Sequence, residues 1–117
     1  MNMLSFSEEA VCEGAVLIEL GRMLDNNNAE ELVNSITGVQ TRGCKFIVLD
    51  FSHLEFISSA GVGAILGTID ASRDQGGDII LCNVPETVAH VFQVLDLWDF
   101  LTIMADRRTA LAACQAR

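Results

Sequence analysis

The sequence predicts an α/β protein of one domain, in which a mixed β-sheet of four to five strands packs against four α-helices. Residues 45–51 and 79–84 are predicted strands that contain the continuous apolar runs 46–49 and 79–82, as expected for strands that are covered on both faces of a parallel sheet. Between them, apolar residues recur at helical spacing from Val62 to Ile69. Strands that alternate with helices imply parallel strands joined by right-handed crossovers. The 117 residues suffice for one such domain, which we assign to residues 1–117.

The N-terminal elements follow from shorter patterns. Residues 4–9 and 15–20 predict two strands of a hairpin, which makes the sheet mixed. Residues 22–28 predict a polar loop. Asn28 followed three positions later by Glu31 resembles a capping box and predicts the start of the first helix, which ends near Gly43.

The C-terminal half supplies the other three helices. The second helix is predicted from Ser58 or Ser59 to about Gln75, before a glycine pair. Pro85 suits the first turn of the third helix, because its missing N–H is not needed there; Val88, Val91, Phe92 and Leu95 form the buried face of this helix. A short strand over 100–104 and a last helix capped by Asp106 complete the chain.

Composition narrows the classes of partner. Sixteen acidic residues against seven basic ones give a net charge of −9, which disfavours nucleic acid and anionic membrane surfaces. It favours a protein partner with a basic patch. The N-terminus does not read as a signal peptide, and the longest uncharged stretch, residues 56–69, is too short and too rich in glycine to span a membrane. We therefore expect a soluble, cytoplasmic protein.

The cysteines and histidines predict neither a metal site nor a cofactor. Cys12, Cys44, Cys82 and Cys114 are far apart in the sequence and form no C-x-x-C pair, so reduced thiols are expected. The glycines at 61, 63 and 67 lie inside a helical pattern instead of in the turn before it, which weakens a dinucleotide fingerprint. Asp50, His53 and Ser59 could be imagined as a hydrolase triad, but they lack the nucleophile-elbow motif.

Ser58 and Ser59 lie at the predicted first turn of the second helix. The first N–H groups of a helix have no intrahelical partner, and the helix dipole is positive there. A serine hydroxyl at this position can cap the helix, and this is the simplest interpretation of the pair. A phosphate on either serine would lie in an anion-binding environment.

Residues 50–66 resemble the signature loop of the STAS domain, a family named for sulphate transporters and anti-sigma factor antagonists. Gly21 and Asp25 are similar to the family's first loop, and residues 76–81 to its glycine turn and next strand. The resemblance implies the STAS fold. It also implies that a serine kinase phosphorylates Ser59, with Ser58 as the alternative because it stands where these antagonists usually have Asp.

The resemblance implies an anti-sigma factor antagonist that acts by partner switching. Its partner would be an anti-sigma factor with serine kinase activity, and a serine phosphatase would reverse the modification. The chain itself would be no enzyme. The expected partner-binding residues are Asp25, Ser58, Ser59, Ala60, Gly61, Gly63 and Gly67.

Two other functions stay open. The chain could be a constitutive STAS interaction module of a larger signalling assembly, in which Ser59 only caps the helix. It could instead be a STAS domain that binds a small ligand or a nucleotide. Phosphate turnover on Ser59 separates the first function from the module, and a ligand-induced rise in melting temperature would support the third.

Overall fold

The computed structural model describes the backbone of residues 6–12 and all of residues 14–115. In chain order its elements are β1 (Phe6–Cys12), β2 (Ala15–Leu20), β3 (Met23–Leu24), α1 (Ala29–Thr41), β4 (Phe46–Asp50), β5 (Phe56–Ile57), α2 (Ser59–Asp74), β6 (Asp78–Cys82), α3 (Glu86–Val94), β7 (Thr102–Met104) and α4 (Arg107–Gln115). The predicted mixed sheet, N-terminal hairpin and four helices are confirmed. Residues 4 and 5 of the first predicted strand lie outside the described residues.

The central sheet has five strands in the order β1-β2-β4-β6-β7. β1 runs antiparallel to β2, and the other neighbours are parallel. Every residue of β4 and β6 is buried, because both strands are central and both faces of the sheet are covered. This is the arrangement that continuous apolar strands predict.

Successive residues of each strand point to opposite faces of the sheet. Ile47 and Leu49 belong to the larger core, with the apolar faces of α1, α2 and α3. Phe46 and Val48 belong to a smaller core with α4. Three helices therefore cover one face and one helix covers the other.

A second, two-stranded sheet pairs β3 with β5 in parallel. The prediction of a polar loop over residues 22–28 is therefore wrong at Met23 and Leu24, which form β3. Pro85 occupies the N-cap position of α3 instead of its first turn, while Asp106 caps α4 as predicted, since its Oδ1 accepts the Thr109 N–H at 2.8 Å.

No helix within the described part of the chain combines the length and the apolar character that crossing a membrane requires.

Candidate functional site

The β3–β5 sheet joins the loop around Asp25 to the start of α2. Met23 pairs with Phe56 and Leu24 pairs with Ile57. One residue further on, the Ser58 N–H donates to the Leu24 carbonyl at 2.9 Å. The predicted contact residue Asp25 and the serine pair are therefore held side by side by backbone hydrogen bonds.

Ser58, and not Ser59, caps α2. The Ser58 Oγ accepts the Gly61 N–H at 3.3 Å, and the Ser58 carbonyl accepts the Val62 N–H at 3.0 Å. Ser59 is the first helical residue and is exposed. The interpretation of Ser59 as a cap is therefore wrong, and the two adjacent hydroxyls have different surroundings.

Asn28 shapes the Asp25 loop instead of capping α1. Its Oδ1 accepts the Asp25 N–H at 2.9 Å, and its Nδ2 donates to the Met23 carbonyl at 2.9 Å. Only 7% of Asn28 is exposed, and its side chain makes no capping hydrogen bond to the helix. The predicted start of α1 is confirmed, with Asn28 at the N-cap position. The side-chain cap is absent because this amide bonds backward to the loop, which fixes the backbone on both sides of Leu24.

The glycines of α2 divide into two kinds. A Cβ on Gly61 would lie 2.7 Å from the Leu24 carbonyl oxygen and 2.9 Å from the Ile57 side chain. Gly61 is therefore a buried residue that lets α2 approach β3, and its place in the predicted partner-binding set stays a prediction. Gly63 and Gly67 are exposed, and a Cβ there would meet no atom within 4 Å.

Packing within the described chain therefore gives no reason for glycine at 63 and 67. Glycine inside a helix costs about 0.5–1 kcal/mol relative to alanine. The two positions leave a smooth strip on the exposed face of α2, which begins one turn after Ser59. This geometry fits the predicted docking face.

Ser59 borders an apolar groove of about 420 Å³ between the start of α2 and α3. We call it the Ser59 groove; its lining residues are Ile57, Ser58, Ser59, Val62, His90, Val91, Val94 and Leu95. Val94 is 66% exposed and Leu95 is 50% exposed. The predicted burial of Leu95 is therefore wrong, and its helical spacing places it on the groove instead of in the core.

Apolar surface continues from the groove to β5. Val91 also lines a smaller cavity of about 160 Å³ together with Phe56 and Val88. Phe56 and its β3 neighbour Met23 are each 51% exposed. Single exposed apolar residues are ordinary, but a connected set beside one hydroxyl is typical of an interaction surface.

Asp50, His53 and Ser59 do not form a catalytic triad. The buried Asp50 carboxylate accepts hydrogen bonds from the Ser52 N–H at 2.9 Å and from Arg107 Nη2 at 2.6 Å. Burial opposes ionisation of Asp50, but these hydrogen bonds outweigh it and hold the pKa of the carboxyl below its ordinary value. His53 Nε2 lies 3.6 Å from a carboxylate oxygen of Glu19.

This polar cluster joins α4 to the carboxyl ends of the strands. Arg107 Nη2 also bonds Glu19 at 3.3 Å, and Asn83 Nδ2 donates to Asp50 at 3.1 Å. Asp50 is thus a structural ion-pair residue. Among the residues that the structure describes, no three His, Cys, Asp or Glu side chains are grouped to hold a metal ion.

Known proteins are similar to this chain in sequence and in structure. The family model for the STAS domain matches residues 9–110. The anti-sigma F factor antagonist of Paenibacillus polymyxa is 27% identical over 99 residues, which cover 84% of this chain and 85% of that protein.

Two solved structures are similar over nearly the whole length. The anti-sigma factor antagonist SpoIIAA in its unphosphorylated form gives a TM-score of 0.83 at 29% identity, and the match covers 96% of this chain and 97% of that one. The Bacillus cell fate determinant SpoIIAA in its phosphorylated form gives 0.75 at 28% identity, covering 96% and 99%.

Proposed function

The chain is a member of the STAS domain family, and from that premise we propose that it is an anti-sigma factor antagonist that acts in the cytoplasm by partner switching. In the unphosphorylated state it binds an anti-sigma factor with serine kinase activity. The kinase then phosphorylates Ser59, the complex dissociates, and a serine phosphatase restores the first state. The chain is the substrate in this cycle and catalyses no step itself.

The observation that carries the proposal is the different use of the two serine hydroxyls. Ser58 Oγ is engaged in the helix cap, whereas Ser59 is exposed at the first position of α2. A kinase needs a hydroxyl that it can reach without dismantling the fold. Ser59 meets this requirement, and modification of Ser58 would cost the cap.

The position of Ser59 also explains why a phosphate would act on binding more than on folding. The phosphate adds about −1.5 to −2 charges. A negative charge near a helix N-terminus is favourable, so the fold tolerates it. A partner that fills the Ser59 groove with apolar side chains would have to bury the same charge, and burial of an unpaired charge is unfavourable.

The proposed docking surface combines three segments. Asp25 and Ala60 lie beside the serine pair, Gly63 and Gly67 continue along α2, and the Ser59 groove adds the exposed residues of α3. Gly61 supports this surface from below by its contact with β3. The net charge of −9 favours a partner that carries a basic patch outside the apolar part that fills the groove, chiefly through faster encounter.

The test is phosphate transfer by the anti-sigma factor kinases encoded in the same genome. Each kinase is incubated with the chain and ATP, and the intact mass of the chain is measured. We expect one phosphate on the wild-type chain and on Ser58→Ala, and none on Ser59→Ala. Binding of each variant to the same kinase is measured in parallel.

Three results would decide against the proposal. Phosphate on Ser59→Ala but not on Ser58→Ala would move the site by one residue. A kinase that binds the chain but transfers no phosphate would favour the constitutive STAS module. Equal binding of the phosphorylated and unphosphorylated chains would remove the switch.

A further inference from the structure

We propose that His90 holds the phosphate on Ser59, so that α3 supplies the cationic contact that fixes the modified state. This inference rests on the proposed phosphorylation of Ser59. His90 lies more than thirty positions after Ser59 in the sequence.

The Ser59 groove is lined by one residue of each helix that could take part in a phosphate contact. Among the described residues that line the groove, His90 alone has an ionisable side chain, and Ser59 lines the same groove from the opposite helix. The chain carries sixteen acidic residues and seven basic ones. A groove that contains a histidine and no carboxylate is therefore unlike the rest of this acidic chain.

His90 lies on the side of α3 that lines the Ser59 groove. His90 and Val94 are one helical turn apart, as are Val91 and Leu95, so all four lie along the side of α3 that faces the start of α2. His90 is exposed. Its imidazole therefore faces solvent at the same groove that Ser59 lines, where a phosphate on Ser59 would also lie.

A serine phosphate and a histidine side chain are chemically complementary. A serine phosphate presents three strong acceptor oxygens and has a second pKa of about 6. A histidine has an ordinary pKa of about 6.5 and donates two N–H groups when protonated. Each group therefore favours the charged form of the other, and a charge-assisted hydrogen bond between them is about twice as strong as a neutral one.

Several carboxylates lie near this pairing, and all of them are present in every variant compared below. Asp25 lies beside the serine pair, through the pairing of Leu24 with Ile57. Glu86 lies one turn before His90 on α3, and Asp96 follows the helix. Glu55, beside β5, is bound to Arg22 at 3.0 Å and lines the other cavity. On α2 the first charged residue after Ser59 is Asp70, about three turns along.

The test measures the phosphate itself. Phosphoserine is incorporated at position 59 during translation, so that no kinase is needed, and its second pKa is followed by phosphorus NMR. We expect this pKa to be about half a unit lower in the chain with His90 than in His90→Gln. In His90→Lys it should stay low, because the lysine retains a cation.

The coupling must also appear on the imidazole. Thermodynamic linkage requires that the interaction act equally on both groups, so the proton NMR signals of the His90 ring should also respond to phosphorylation of Ser59. The matched control is His53→Gln, since His53 lies beside Glu19 and lines no part of the groove. This variant should leave the phosphate pKa unchanged.

Equal phosphate pKa values in the wild-type chain and His90→Gln would overturn the proposal, as would an equal shift in His53→Gln. Neither result would touch the proposed function, because the phosphate is installed without the kinase. Conversely, a kinase that ignores Ser59 would refute the proposed function, whatever the titration shows.

Discussion

Alanine substitutions at the three glycines of α2 test which face of this helix is packed and which is open. A Cβ at Gly61 would lie 2.7 Å from the Leu24 carbonyl oxygen, whereas at Gly63 and Gly67 it would meet no atom within 4 Å. We therefore expect Gly61→Ala to destabilise the fold, and Gly63→Ala and Gly67→Ala to stabilise it.

The magnitudes follow from these contacts. Alanine gains about 0.5–1 kcal/mol over glycine inside a helix, so Gly63→Ala and Gly67→Ala together should add about 1–2 kcal/mol. At position 61 the Leu24 carbonyl cannot move away easily, since it also accepts the Ser58 N–H. Overpacking costs about 1–3 kcal/mol, and the helix gain offsets only part of it.

Urea unfolding measures the free energy of unfolding of each variant, and Gly38→Ala is the control. Gly38 lies in α1 with no atom within 4 Å of an added Cβ, so it should show the helix gain and no change in partner binding. An equal gain at Gly61 would refute the close approach of α2 to β3. A loss at Gly63 would show that this face is packed.

The larger substitutions test docking on the same face. Gly63→Leu and Gly67→Leu should fold, because their side chains extend into open space. They should weaken binding to the anti-sigma factor, because they obstruct the smooth strip beside Ser59. Normal binding by both folded variants would exclude this strip from the interface.

Three further predictions concern the cap, the ion pair and the thiols. Ser58→Ala should lose about 0.5–1 kcal/mol of stability, the lower part of the usual range for a cap, because the capping hydrogen bond is long at 3.3 Å. Ser59→Ala should change stability by less than about 0.5 kcal/mol. Ser59→Asp should gain about 0.3–1 kcal/mol of stability but bind the partner at least about tenfold more weakly. The pKa of Asp50 is lowered on folding, so its ionised form contributes stability that is full above the unfolded pKa of about 3.9 and fades as the pH falls through the folded value. In urea unfolding followed by fluorescence, Arg107→Ala should lose about 1–3 kcal/mol at neutral pH and less as the pH is lowered. No loss at neutral pH would refute this ion pair. Burial, and to a lesser extent the charge of Asp50, raises the pKa of the Cys82 thiol to about 12. Cys82 should therefore not react with a thiol reagent in the native chain at pH 8. Titration of thiols in the unfolded chain should find all four cysteines.

The sequence predicts the central part of the fold because burial there is strong and continuous. Residues 45–51 contain β4, and every residue of this strand is buried. The helical period from Val62 to Ile69 matches buried residues of α2. In these elements one dominant effect, the removal of apolar surface from water, determines the pattern.

The site was harder to predict because it is built from very short strands that pair with residues distant in the sequence. β3 and β5 have two residues each, too few to show a period, and they pair across more than thirty positions in the sequence. The capping-box pattern at Asn28 was misleading because the same amide finds two partners in the loop. Helical spacing assigned Leu95 to the core, yet it lies beyond the end of α3 and is 50% exposed.

The β3–β5 pairing explains how one phosphate could control a surface built from three segments. The Leu24 carbonyl accepts a hydrogen bond from the Ser58 N–H, and Gly61 packs against the same oxygen. The Asp25 loop and the start of α2 are therefore fixed to each other. Val62 and Val91 then line the same groove and connect α2 with α3. Because these segments are already held together, the proposed switch would need no rearrangement of the backbone. In this proposal the charge added at Ser59 would leave the shape of the surface unchanged and would oppose only its burial against an apolar partner.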